Sequence, residues 1–505
     1  MLDLWLSGFE GLLQARELLF LTAGMMMGLF FGAIPGLGGA TALALLVPFT
    51  YGLDPFTALA LAGGVMGGVP MGGSITAILL NAPGTAPSAA TCLDGHPLAR
   101  QGKAGLALGA AASANAVGGI IGTISILAIL PLAKNIVLLF GPPELFLLAV
   151  LGLVIVATAS RGKMLHGLIS GAFGLMISFV GYNDVTGVQR FTMGIPYLWD
   201  GVRLVPALIG LFAVAEMIHL SIRGGPIASD TEAIRITSMT SGLFETFRRG
   251  RTVIRGSLIG TVVGAIPGVG GTVASFLSYS MTVNASKDPD SFGKGNIEGV
   301  IAPEAAINAK DCSCLIPTLA FGIPGGAEMA VFLGLLVLHG LQPGPLMLID
   351  HQVEIYGLIW ALTASCVLAS FIGLLLVRPL AKLTLLDAHV LVPVVIAVAL
   401  VGSYAIDRTI ENSILTAAFG ILGYLMIRFD YPRLTLIVAL ILGSTAERNF
   451  NQSMMMSNGS LNIYFTRTVC VCLLAILAAV LLFPILWGSN RRGSAILARE
   501  AAAVK

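Results

Sequence analysis

Four Pro-Gly breaks fall inside apolar stretches of this chain, at Pro35-Gly36, Pro83-Gly84, Pro267-Gly268 and Pro324-Gly325. They constrain the fold more than any other feature. In hydrocarbon an unpaired backbone amide or carbonyl costs several kcal/mol, so a break persists at membrane depth only where protein buries it or where it lines a polar cavity. The flanking sequence suits that depth. Of 505 residues, 56% are hydrophobic and 11% charged, with a mean hydropathy of +0.91, whereas about 25% of residues in soluble domains are charged.

Apolar windows at residues 17–31, 104–130, 144–159, 356–377 and 465–483 approach the roughly 20 residues that cross a bilayer. Counted along the chain they give about twelve crossings. The expected fold is therefore an all-α polytopic membrane protein embedded in a lipid bilayer. A net charge of +2 excludes an argument for a nucleic-acid partner.

Where the charges sit is more informative. Six arginines (Arg223, Arg235, Arg248, Arg249, Arg251, Arg255) crowd one polar stretch against Asp230, Glu232 and Glu245, and the tail carries Arg491, Arg492, Arg499 and Lys505 against Glu500. The positive-inside rule makes both cytoplasmic, with an even number of crossings between them. Four parts follow: a first transmembrane half (1–222), a basic cytoplasmic linker (223–255), a second half (256–487) and a cytoplasmic tail (488–505).

Residues 1–14 mix Trp5, Leu6, Phe9 and Leu12 with Asp3 and Glu10, the pattern of a short helix lying at the membrane interface or docking on a partner. Without a basic n-region it is not expected to be a cleaved signal peptide. Six cysteines lie mostly in or beside apolar segments and outline no disulfide framework, and the lone Cys312-x-Cys314 lacks partners for a structural zinc site.

Residues 62–74 carry six glycines and Pro70, too much for an ordinary helix. Close packing through small residues is one reading. An unwound or re-entrant segment is the preferred one, because Pro70 removes a donor and Asn81-Ala82-Pro83-Gly84-Thr85 follows at once. Residues 91–103, with Asp94, His96, Arg100 and Lys103, read as a polar turn with a solvated His96. Asn115 lies inside an apolar stretch, as interhelix glue or facing a solute. Glu216 and His219 read as an interfacial pair, and Asp184, Asp407 and Glu411 as residues at segment ends.

The two halves echo each other. Gly264-Ala265-Ile266-Pro267-Gly268-Val269-Gly270-Gly271 repeats residues 32–39 with Val269 for Leu37, Asp288-Pro289 answers Asp54-Pro55, and Pro324-Gly325-Gly326 answers Pro83-Gly84-Thr85. The breaks are 48 residues apart in the first half (35 to 83) and 57 in the second (267 to 324), with most of the excess assigned to a polar turn at 284–296. Matching broken segments in two halves mark a secondary-transporter site at a repeat interface. An inverted arrangement is preferred, since it supplies two related conformations for alternating access.

Several residue types gather at the breaks. Gly36, Gly38, Gly39, Gly84, Gly268, Gly270, Gly271, Gly325 and Gly326 with Pro324 let backbone approach an anion, and half-helix ends attract carboxylates or sodium. Thr41, Ser74, Thr85, Thr272, Ser275 and Thr318 add hydroxyls, although a single hydroxyl more often bonds back to its own helix. Asn81, Asn115, Glu304 and Asn308 complete the candidate set, with Glu304 and Asn308 four apart on one helix face. Lys310 and Asp311 either pair or lie near the surface, and Glu328 follows the last break. A sodium site is expected near Gly36, Gly268, Thr85 and Gly325, with no structural metal and no catalytic residue. Neither a phosphate-binding loop nor a His-Glu-x-x-His motif occurs.

At Gly72-Gly73-Ser74-Ile75-Thr76-Ala77-Ile78-Leu79-Leu80-Asn81-Ala82-Pro83-Gly84-Thr85, at Ala90-Thr91-Cys92-Leu93-Asp94-Gly95-His96-Pro97, and from Pro303-Glu304-Ala305-Ala306 to Ile323-Pro324-Gly325, the chain resembles the large membrane subunit of the tripartite tricarboxylate transporters. The resemblance covers nearly the whole chain. It implies a multi-pass permease of a bacterial inner membrane that works with a small membrane subunit and a periplasmic solute-binding protein. The implied substrates are citrate-like or other small organic anions, and the implied drive is a sodium or proton gradient with no ATP-binding cofactor. The chain departs from the family's pattern at Ile307-Asn308-Ala309, at Lys310-Asp311-Cys312-Ser313-Cys314 and at Glu328. Rival readings are a transporter of another solute class, or a membrane enzyme or scaffold.

Overall fold

Small residues at every fourth position decide how the helices pack. The structure, a computed structural model, describes residues 2–137, 140–158, 164–183, 187–223, 238–344, 346–383 and 388–487. Helix α1 (Leu2–Leu12) leads into α2 (Ala15–Ala33), α3 (Gly38–Leu46) with a 3-10 turn Val47–Thr50, and α4 (Pro55–Leu80). Gly24, Gly28 and Gly32 of α2 lie on the carbonyls of Leu61, Val65 and Val69, while Gly64, Gly68 and Gly72 of α4 lie on those of Leu21, Met25 and Leu29. A Cβ at any of the six would collide with backbone. Both series rise together, so α2 and α4 run parallel and α3 returns between them. The starts of the pair meet where Arg16 bonds Asp54 at 2.9 Å and the Thr57 hydroxyl donates to Glu17 at 3.2 Å.

That packing corrects the expectation of an unwound segment at 62–74. The stretch is helical throughout, with Pro70 inside α4. Its glycines serve close approach on two faces, since Gly63 and Gly67 meet Ala361 and Ser365 of another helix. Membrane helices tolerate an internal proline where neighbours satisfy the freed backbone, which for Pro70 is the carbonyl of Met66 one turn earlier.

The polar turn expected at 91–103 is also helical. Helix α5 (Ala89–Leu98) passes through a π-helical turn, Ala99–Lys103, into α6 (Ala104–Val137). His96 is half-buried rather than solvated, with Nδ1 3.2 Å from the Ile78 carbonyl. Asp94 is fully buried. Helices α7 (Pro142–Thr158) and α8 (Met164–Ser178) follow, then a hairpin of β1 (Gly181–Tyr182) and β2 (Gln189–Arg190), and then α9 (Leu204–Leu208) and α10 (Ala215–Arg223), joined by a π-helical turn Ile209–Val214. Asp184 and residues 224–237 lie outside the described residues. Within the stretch read as a linker, α11 (Thr240–Arg248) docks on α6, with Gly242 against Gly109 and Thr246 2.6 Å from Ser113 Oγ.

The second half repeats the packing of the first. Helix α12 (Gly250–Gly264), α13 (Gly270–Ala285) and α14 (Glu298–Ser313) stand as α2, α3 and α4 do. Gly256, Gly260 and Gly264 lie on the carbonyls of Ala302, Ala306 and Lys310. The connection before α14 spans 286–297, against 51–54 before α4, which accounts for most of the longer spacing between breaks. Helices α15 (Leu315–Phe321) and α16 (Ala327–Leu338) flank the last break.

The remaining helices are α17 (Met347–Asp350), α18 (Gln352–Leu375), α19 (Val377–Leu383), α20 (Ala388–Asp407), α21 (Ile410–Arg428), α22 (Arg433–Met456), α23 (Ile463–Thr466) and α24 (Thr468–Trp487). The halves interlock: Gly118 and Gly122 of α6 pack on Ala305 and Ala309 of α14, while α18 of the second half packs on α4. Helix α1 docks on α18, with Trp5 and Trp360 4.7 Å apart.

Among the described residues, seven helices are long and apolar enough to cross a membrane, and five shorter apolar helices accompany them. Several buried or half-buried charges tie distant helices together. Arg433 reaches Glu216 at 3.1 Å, Arg203 reaches Asp407 at 2.6 Å and Arg467 reaches Glu144 at 2.5 Å. Glu216 thus pairs with α22, not with His219 as its spacing suggested. Residues 488–505, read as a tail, lie outside the described residues.

Candidate functional site

Left-handed residues terminate the helices at the second break of each half. Asn81 has φ 50° after α4, and Gly322 has φ 68° after α15. Each is followed two residues later by Pro-Gly, and the glycine is then wedged against its own half. A Cβ on Gly84 would overlap the Gly32 carbonyl oxygen and approach Gly73 Cα and Thr76 Oγ1; one on Gly325 would meet Cys314 Sγ and lie 3.5 Å from the Gly264 carbonyl. Gly84 and Gly325 therefore play the same part against Gly32 and Gly264.

The first break of each half reaches across to the other half. A Cβ on Gly39 would land on the Glu328 carboxylate. On Gly271 it would lie 2.8 Å from Pro87 Cγ and 3.6 Å from Lys310 Cδ. Glu328 and Pro87 each stand four residues beyond the proline of a second break. All four breaks are thus joined across the interface of the two halves.

Helix α14 carries the polar groups into this interface. Glu304 is fully buried and accepts from Ser74 Oγ at 2.6 Å and Thr91 Oγ1 at 2.5 Å. Asn308 donates to Asn115 at 2.6 Å, and the Asn115 amide in turn faces Met71 Sδ at 3.9 Å. This order sets α14 antiparallel to α4: Glu304 stands level with Ser74 and Asn308 with Met71. Lys310 and Asp311, only 7% and 6% exposed at their side chains, bond each other at 2.7 Å rather than reaching the surface.

The other candidates divide by neighbour. Thr85 bonds Ser88 at 2.7 Å beside Gly73. Thr41 donates to the Phe212 carbonyl, Ser275 to that of Thr272 and Thr318 to that of Cys314. Thr272 is half-buried, while Pro324 and Gly326 are buried, Gly326 with its α-carbon side toward Lys310 Nζ. Asn81 and Gly36 are exposed, and Gly36 lies near Glu216; Gly268 packs on Val156 of α7. Gly38 and Gly270 face open space. Of the positions expected to neighbour sodium, Gly36 and Gly268 therefore border α10 and α7, whereas Thr85 and Gly325 are buried. Among the described residues no three or more of His, Cys, Asp and Glu group to hold a metal ion.

Two residues escaped the sequence reading. Thr91 holds Glu304, and Asp94 anchors the start of α14, accepting from the amides of Gly295 and Asn296 at 2.8 Å each and from the Tyr279 hydroxyl at 2.8 Å. Their signal was present in the run Ala90–Pro97, but it read as a turn because its partners lie some 200 residues away.

Residues 18–438 match the family described as "Tripartite tricarboxylate transporter TctA family". The chain belongs to that family. It is a family of transporters and not of enzymes, so this TctA-family chain is a multi-pass membrane transport protein. The family forms the large subunit of a tripartite system, which implies partner subunits. Two proteins of Agrobacterium vitis are similar along their length. One, described as "Uncharacterized 52.8 kDa protein in TAR-I ttuC' 3'region", is 34% identical over 481 residues, 95% of each chain. Another, "Uncharacterized protein in TAR-II ttuC' 3'region", is 33% identical over 217 residues, 43% of this chain and 90% of its own.

Proposed function

We propose that the chain is the large permease subunit of a binding-protein-dependent secondary transporter that takes up small organic anions by alternating access. In this reading it lies in a bacterial inner membrane, beside a small membrane subunit, and receives a di- or tricarboxylate or a related monocarboxylate from a periplasmic solute-binding protein. A proton or sodium gradient drives it. The observation that carries the reading is the crossing of the breaks: Gly39 against Glu328 and Gly271 against Pro87 and Lys310. Glycine-bordered backbone from both halves meets buried polar side chains there, the arrangement expected of a site at a repeat interface.

Two further features support it. Helices α4 and α14, equivalent in their packing on α2 and α12, run antiparallel, as inverted repeats require. Five shorter apolar helices accompany the seven long ones, in keeping with a polytopic membrane fold.

Reconstitution tests the reading. Proteoliposomes holding this chain and its small partner, with the cognate binding protein added, are expected to accumulate at least one of labelled acetate, succinate or citrate when an inward proton or sodium gradient is imposed. Sealed vesicles with folded protein that move none of the three would overturn it.

A further inference from the structure

Three charged side chains cluster where the breaks cross, and their charges do not cancel. Lys310 and Asp311 are ion-paired and buried, and Glu328 stands two residues beyond Gly326, which the Lys310 ammonium borders. Consecutive residues on a helix point about 100° apart, so Lys310 must fold its chain sideways to reach Asp311. The Lys310 ammonium lies 3.8 Å from where a Cβ on Gly326 would sit, and its Cδ borders Gly271. The Glu328 carboxylate sits on Gly39, the second residue of α3. The cluster therefore touches three of the four breaks. Among the described residues, the thiols of Cys312 and Cys314, from α14 and its junction with α15, and of Cys366 from α18 also lie near it.

The first half has no such charges. Counted from the second break, the residues corresponding to Lys310, Asp311 and Glu328 are Val69, Pro70 and Pro87, and the packing supports the match, since Val69 meets Gly32 as Lys310 meets Gly264. One cation and two carboxylates leave one net negative charge. A substrate carboxylate arriving beside them would add a second in a buried site, and uncompensated buried charge is strongly disfavoured. The trio can accept an anion only if a positive charge comes with it.

We propose that Lys310, Asp311 and Glu328 form a proton-coupling switch: the substrate carboxylate replaces Asp311 on the Lys310 ammonium, and Asp311 or Glu328 takes up a proton. The inference rests on the permease reading and adds the coupled ion and the residues that couple it. The only covalent change is one O–H bond, formed with a proton from the side that delivers substrate and broken toward the side that receives it. Ion pairing to Lys310 is exchanged, so the trio with bound monoanion and proton carries the same net charge as the empty trio.

Proton uptake on binding tests this in the purified transporter, with succinate and citrate as probes and a pH indicator in weak buffer. The wild type is expected to take up about one proton per bound substrate carboxylate engaged by Lys310. At least one of D311N and E328Q should bind substrate without that proton, and its binding should lose the wild type's weakening with rising pH. In the charge-neutral variant K310Q/D311N, binding should weaken by roughly tenfold or more. Substrate binding with no proton uptake by the wild type overturns the switch but leaves the permease standing, and sodium-dependent binding of that kind would name the other ion. Both single variants keeping the full proton uptake, or both losing binding outright, also overturns it. Proteoliposomes that transport none of the carboxylates overturn both readings.

Discussion

The two halves of this protein share a backbone design and differ in chemistry. Each packs a glycine-lined helix parallel to a second helix, Gly24, Gly28 and Gly32 in one and Gly256, Gly260 and Gly264 in the other, and each ends the second helix's line at a left-handed residue before Pro-Gly. At the meeting point the first half offers Val69, Pro70 and Pro87, and the second Lys310, Asp311 and Glu328. The lesson is that symmetry here belongs to the close contacts, where only glycine fits. Charge is free to vary between the halves, because a Lys or a Val outside the glycine seam leaves the helix spacing unchanged.

The largest expected effect separates the two wedged glycines. Gly84 abuts backbone at Gly32 and Gly73, while Gly325 abuts the Cys314 side chain. Gly84→Val should abolish uptake and reduce the yield of monodisperse protein, since backbone cannot give way. Gly325→Ala should be milder, costing about 1–3 kcal/mol, and should be rescued by Cys314→Ala. Equal, unrescued losses at both sites would break the comparison.

Next come the seams. Gly28→Val and Gly260→Val each drive a side chain into a carbonyl, of Val65 and of Ala306. Both are expected to lower the melting temperature by similar amounts, corresponding to roughly 1–3 kcal/mol or more each. A large loss in one half with none in the other would show that the seams are not equivalent.

Much of this was legible in the sequence, and the rest was not for physical reasons. The repeat of Gly32–Gly39 in Gly264–Gly271 and the echo of Pro83-Gly84 in Pro324-Gly325 announced two halves and four breaks. The four-residue spacing of Gly64, Gly68 and Gly72 was also visible, but composition alone does not tell a flexible segment from a close-packed one; the deciding fact is the matching spacing in α2, its packing partner. The meetings of Gly39 with Glu328 and of Asp94 with Gly295 and Asn296 join residues from opposite halves, where no local pattern predicts a partner. Lys310 and Asp311 could be read only as paired or superficial until burial decided it.

Smaller effects sharpen the comparison at the helix starts. Asp94 secures the start of α14 in the core, and Asp54 caps α4, accepting from the Thr57 amide at 3.0 Å near the surface. Asp94→Asn should cost about 1.5–3 kcal/mol, as for a buried charged acceptor, and Asp54→Ala about 1 kcal/mol, as for a lost cap; thermal melts rank them, and the reverse order would contradict the burial argument. Burial alone would raise the Asp54 carboxyl, but the Thr57 amide and hydroxyl and the Arg16 guanidinium together outweigh it and hold the group below the ordinary aspartate range. A lowered carboxylate stabilises the fold above its unfolded value and loses that contribution as pH falls through the folded one, so the Asp54→Ala penalty should be present at neutral pH and fade as pH falls from the ordinary aspartate value through the lowered folded one. Arg16→Gln is the smallest change, within about 1 kcal/mol because the pair is half exposed.

The central claim is that the breaks of one half meet those of the other and that transport runs through the meeting. Its most direct test is a disulfide between Gly271→Cys and Pro87→Cys in a chain otherwise freed of cysteine. A Cβ at Gly271 would lie 3.4 Å from Pro87 Cβ, near the 3.5–4.5 Å that a disulfide requires. Mild oxidation is expected to form the bond in most molecules and stop uptake of the transported carboxylate, and reductant should restore it. Failure of the pair to cross-link, or undiminished uptake with the bond in place, would contradict the account.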